Sequence, residues 1–150
     1  MTDDRGVSVT VGYVLNLAIA AILVSALLMA GGSLIESQTE QVTHDELTVA
    51  GQQLAGDLAS ADRLARAGET ETLTLQTDLP QRTAAGSYSI TVAQPDGESA
   101  GHIELESTHP EVTVTVPLRS ETPVENTTLS GGQVAIVYDD GEDVLEVQSS

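Results

Sequence analysis

Three imidazoles, one run of acids and one glycosylation-type triplet are the side chains in this sequence whose types and spacing could do chemistry. His44, His102 and His109 are the only histidines. None has the spacing of metal ligands with another, and His102 and His109 lie apart across a predicted turn, so all three read as surface residues. Asp139-Asp140-Gly141-Glu142-Asp143 gathers carboxylates of the kind a hard cation such as Ca²⁺ takes. It lacks the full ligand pattern of a calcium loop, and it reads as the solvated tip of a hairpin. Cysteine is absent, which removes disulfides and thiolate chemistry. There is no nucleophile motif and no glycine-rich phosphate loop. No catalytic residue, metal or cofactor is expected, and the chain reads as something other than an enzyme. Asn126-Thr127-Thr128 fits the acceptor pattern for N-glycosylation and falls in a predicted loop between Pro123 and Gly131, which makes Asn126 a candidate acceptor.

The remaining chemistry is proteolytic and lies at the start of the chain. No charge occurs between Arg5 and Glu36, so residues 7–35 form an uncharged run dense in Val, Leu, Ile and Ala. As a helix this run would extend about 43 Å at ~1.5 Å per residue, more than the ~30 Å of a bilayer core. A conventional cleaved signal fits less well. Asp3 and Asp4 precede Arg5, so the first residues are not net basic, and the run exceeds the ~7–15 apolar residues of such a signal. A plain single-pass anchor explains the hydrophobicity but not Arg5-Gly6 standing immediately before it.

Arg5-Gly6-Val7-Ser8, followed by Gly12 and a long apolar helix, resembles the class III signal of archaeal type IV pilins and archaellins. Many haloarchaeal members continue Val-Ser-Pro-Val-Ile-Gly. Here Ser8 and Gly12 match in register, and Val9 stands where proline is usual. The chain is similar above all to an uncharacterised haloarchaeal pilin-like group. The resemblance covers about the first 35 residues. It implies a hydrophilic leader, residues 1–6, removed between Gly6 and Val7 by a membrane prepilin-type peptidase on the cytoplasmic side. The apolar helix would stay on the mature protein and could assemble with other pilin-like subunits. A glycine beside the scissile bond permits close approach to the backbone, and Arg5 marks the cytoplasmic side.

Small residues recur inside the apolar run: Gly12, Ala21, Ser25, Ala26 and Ala30, two pairs of them four apart. Such spacing lets helices approach closely in lipid or in a filament core. Asn16 is the one strongly polar side chain of the run, and an amide in hydrocarbon requires a partner. Tyr13 suits an interfacial belt.

The segment 33–67 is expected to continue the helix in amphipathic form. Leu47, Ala50, Leu54, Leu58, Ala61 and Ala65 step by three and four along one stripe. Asp57, Asp62 and Leu64 fall at its flanks. Gly31-Gly32 reads as a flexible joint, Gly51 and Gly56 as weak points, and Gly68 as the stop behind the basic Arg63 and Arg66. From Glu71 the apolar period becomes two. Strands are expected over residues 72–77, 87–92, 102–107, 112–116, 133–138 and 144–147, separated by Gly, Pro and Asp turn signals. The fold class is therefore α+β. A long N-terminal helix (residues 7–35 transmembrane, 33–67 amphipathic) precedes an antiparallel β-sheet head, residues 71–150, with the helix laid across one face, in a pilin-like arrangement.

Charge sets the remaining limits. The formal net charge is −18, from 23 acids against five bases, and all five bases are arginine. Hydrophobic residues make up 40% and the acids are scattered through alternating stretches, which indicates a folded, salt-adapted surface rather than an acidic tail. Non-specific nucleic-acid binding is excluded, because it needs clustered Lys and Arg. The expected role is a membrane-held cell-surface subunit with its head outside, either a pilin-like protein entering a filament or a monomeric anchored protein with a binding β domain.

Overall fold

The computed structural model describes residues 3–67, 71–95, 97–139 and 141–150, with the backbone alone described for residues 3–8. Gly68 of the expected helix stop, Asp96 of the Pro95-Asp96-Gly97 turn and Asp140 of the acidic hairpin lie outside the described residues. The chain is α+β: among the described residues, one helix, α1 (Asp3–Arg66), precedes seven antiparallel strands. These are β1 (Thr72–Asp78), β2 (Tyr88–Ala93), β3 (Ala100–Thr108), β4 (Glu111–Arg119), β5 (Thr127–Ser130), β6 (Gln133–Asp139) and β7 (Val144–Ser149). Two compact units are present, Met1–Gln38 and Thr39–Ser150.

In the first unit every described residue is helical, and residues 9–38 are exposed. Gly31 and Gly32, expected to form a joint, are helical too. A glycine costs a helix only ~1 kcal/mol relative to alanine, so a pair set within good helix formers lowers stability without ending the helix.

In the second unit the expected stripe is the buried one. Leu47, Ala50, Leu54, Leu58, Ala61 and Ala65 are all buried in one apolar cluster with both sheets. Arg63 and Arg66 occupy the last turn, where cationic side chains favour the negative end of the helix dipole. The strands form two sheets instead of the single one expected. One has the order β4-β3-β2-β5 and the other β1-β6-β7. Alternation in sequence shows which side of each strand is buried, but it does not say how many sheets share the core. The inward residues are Tyr88, Ile90 and Val92 of β2, Ile103 and Leu105 of β3, the valines and Leu118 of β4, and Val134, Ile136, Tyr138, Leu145 and Val147 of β6 and β7. A short parallel bridge between Val124 and Leu145 links the connection before β5 to β7.

Two strand assignments differ from the sequence reading. The loop expected around residue 127 contains β5, paired to β2 through Thr91↔Thr128 and Ile90↔Leu129. Its sequence Thr-Thr-Leu-Ser has a single apolar residue and so carries no alternation signal. β4 runs on through Pro117, which lies opposite His102. Because β4 is an edge strand, the missing N–H of proline costs no ladder bond on the open side.

Candidate membrane segment and the polar clusters of the β unit

Residues 9–35 present large apolar side chains on all sides of the helix. Val9, Leu17, Ile22, Leu28 and Ile35 are exposed, and Met29 is 79% exposed. Each would gain ~1.5–3 kcal/mol on burial, and a surface this large and apolar marks a membrane or protein contact. α1 is long and apolar enough near the N-terminus to cross a membrane, and the qualifying window has none of its surface buried within the chain. A helix is the form such a segment must take in lipid, because it satisfies the backbone hydrogen bonds internally.

The helix-packing candidates all fall in this segment, but they do not form one face. At ~100° per residue, Gly12, Asn16, Ala26 and Ala30 gather within about 40° of one line. Ala21 and Ser25 lie on the opposite side. Nothing stands within 4 Å of where a Gly12 Cβ would be. The Ser25 hydroxyl donates to the Ala21 carbonyl at 2.8 Å, and this is how a hydroxyl is carried inside an apolar helix. Asn16 has no such local partner among the described residues. The leader residues Arg5, Gly6 and Val7 have helical backbone; their side chains lie outside the described residues.

Within the β unit the helix approaches one sheet very closely. A Cβ at Gly51 would sit 2.7 Å from both Leu105 Cδ1 and Val116 Cγ2. Gly51, read from sequence as a weak point, therefore sets the spacing between α1 and the β3–β4 pair. A Cβ at Gly131 would likewise collide with the Tyr88 ring. The Tyr88 hydroxyl donates to the Pro80 carbonyl at 2.8 Å, and burial pushes its pKa up to about 12.

Asp62, at the flank of the stripe by its position in the sequence, is buried. Its Oδ1 accepts the Thr122 amide at 2.8 Å and faces Arg66 Nε at 3.4 Å. Burial by itself would raise its pKa. Hydrogen bonds from Thr122 and from the Glu121 backbone, with the Arg66 charge, outweigh this and hold the carboxyl below its ordinary value. The only hint in the sequence was Arg66 one turn on; the decisive partner is 60 residues away.

Beside it, the buried Gln94 donates from Nε2 to the carbonyls of Glu98 and Ser120 and accepts the Val124 amide on Oε1 at 2.7 Å. Its own amide donates to Asn126 Oδ1 at 2.7 Å. Asn126 is exposed immediately before β5, so the amide oxygen of the glycosylation candidate holds the network. The Thr128 hydroxyl of the same triplet lies 3.2 Å from that of Thr91.

The histidines are not brought together. His44 is on α1 beside Asp45, at 3.8 Å, His102 is on β3, and His109 lies in the turn between β3 and β4. At the acidic hairpin, Asp139 Oδ1 accepts the Gly141 amide at 2.8 Å, and Tyr138 donates its hydroxyl to Asp143 Oδ1 at 3.2 Å. These are turn contacts. No group of three metal-ligating side chains occurs among the described residues.

A family of unknown function, DUF7266, matches residues 2–149. The chain belongs to DUF7266. That match takes in both the apolar helix and the β unit, so the family is defined by the two together. No curated protein and no solved structure matches the chain.

Proposed function

We propose that this DUF7266 member is a type IV pilin-like surface subunit of an archaeon living in high salt. Its leader, residues 1–6, is removed by a prepilin-type peptidase between Gly6 and Val7. The helix from Val7 then holds the protein in the membrane and can transfer to the core of a filament, where it packs against the helices of other pilin-like subunits. The β unit faces the outside. The observation that carries this reading is the exposed apolar surface of residues 9–35 beginning directly behind Arg5-Gly6. A helix with apolar residues all round is stable only in lipid or against similar helices. The family match runs over the junction, the apolar helix and the β unit alike.

Substitution of the junction tests the proposal. Arg5→Ala with Gly6→Val, expressed in a haloarchaeal host that carries a prepilin-type peptidase, should leave the chain longer by its leader. The native sequence should be shortened there. Equal lengths for both, with the full chain in the membrane fraction, would favour the monomeric anchored protein instead.

A further inference from the structure

Three of the five arginines, in a chain of net charge −18, converge on one cavity of the β unit. Arg63 and Arg66 lie in the last turn of α1 and Arg119 at the end of β4. With Ser99, Asp62 and Glu121 they line a depression of about 240 Å³. The helix dipole explains two basic residues at the end of α1, but not a third delivered from a strand. The pairing Ala100↔Arg119 and the Ser120 amide bond to the Ser99 carbonyl at 3.0 Å fix Arg119 and Ser99 at the rim.

The guanidinium groups keep most of their donors free. Arg66 faces Asp62 through Nε, and Arg63 gives one Nη2 bond to Ser60 at 3.2 Å. The Arg119 guanidinium makes no hydrogen bond or ion pair among the described residues. A guanidinium carries five N–H donors in a planar fork that matches an oxyanion edge. The Ser120 hydroxyl is committed to the Thr122 carbonyl at 2.6 Å, which leaves the Ser99 hydroxyl as the neutral donor at the rim. The chain's overall negative charge is little obstacle in concentrated salt. At ~1 M the Debye length is ~3 Å, so an incoming anion senses the groups of the cavity itself, three guanidinium groups against the Asp62 and Glu121 carboxylates, rather than the acids elsewhere on the chain.

We propose that this cavity binds a tetrahedral oxyanion of the phosphate or sulfate class. Arg119 from β4 and Arg66 from α1 hold it, and Arg63 and Ser99 complete its hydrogen bonds. The site is independent of leader processing and of assembly.

The test is calorimetric titration of the full-length chain in detergent micelles with inorganic phosphate and with inorganic sulfate, at constant ionic strength set by chloride. Saturable binding at one site is expected, weakened at least tenfold by Arg119→Ala and unchanged by Arg82→Ala. Arg119→Lys, which keeps the charge and loses the fork, should fall between. Arg119 is exposed, so its replacement leaves the core intact, and an unchanged melting temperature checks this. Absence of saturation, displacement by chloride at equal concentration, or native binding by Arg119→Ala would each overturn the proposal.

Discussion

Asp62 and Gly51 hold α1 to the β unit by opposite means, one with a charge bonded to the β4–β5 connection and the other with the lack of a side chain facing β3 and β4. Asp62→Asn removes the charge that Thr122 and Arg66 stabilise. It should cost roughly 1–3 kcal/mol at neutral pH. The sign with pH follows from the lowered carboxyl. The folded state holds the charged form more strongly than the unfolded chain, so the contribution is complete above the ordinary value of 3.8. It is lost as pH falls through the lower folded value. Thermal melts of wild type and variant should therefore differ at pH 7 and converge on acidification. A gap that widened in acid would refute the assignment. At Gly51 a methyl group would collide with Leu105 and Val116, so Gly51→Ala should destabilise by about 1–3 kcal/mol despite better helix propensity. Gly56 has open space around it, and Gly56→Ala should stabilise by about 0.5–1 kcal/mol. Chemical denaturation of the two variants should move the midpoint in opposite directions. Neither the close packing at Gly51 nor the hydrogen bond at Asp62 was readable in the sequence, because the partners, Leu105, Val116 and Thr122, lie far along the chain.

At the scale of elements, legibility followed the strength of the periodic signal. The stripe from Leu47 to Ala65 was legible because burial on one helix face imposes steps of three and four. Six of the seven strands were legible because their buried residues alternate with polar ones. β5 was not, since its place is set by pairing with β2 rather than by its own apolar residues. Of the candidate site residues, the position of the apolar helix was plain, but the division of its small residues between two faces appears only when they are placed on the helix. The two units make a prediction of their own. A fragment starting at Thr39 carries the whole apolar cluster, from Leu47 to Val147. It should be soluble without detergent, with its β-sheet circular dichroism intact, whereas the complete chain should need detergent or lipid. A fragment that precipitated or lacked β structure would show that the β unit depends on the first thirty-eight residues.

For the whole molecule the governing quantities are its charge and its apolar end. Self-repulsion among 23 acids opposed by five arginines destabilises the compact state in dilute buffer. Raising salt from ~0.1 M to ~1 M shortens the Debye length from ~10 to ~3 Å, so the melting temperature should climb steadily over that range. A flat or falling curve would contradict a salt-adapted surface. The apolar end is the larger question, because the proposed role requires it to be exposed by a specific cut. N-terminal sequencing of the protein purified from its native membrane tests this most directly. The account predicts a mature chain beginning at Val7; a chain beginning at Met1 or Thr2 would contradict it.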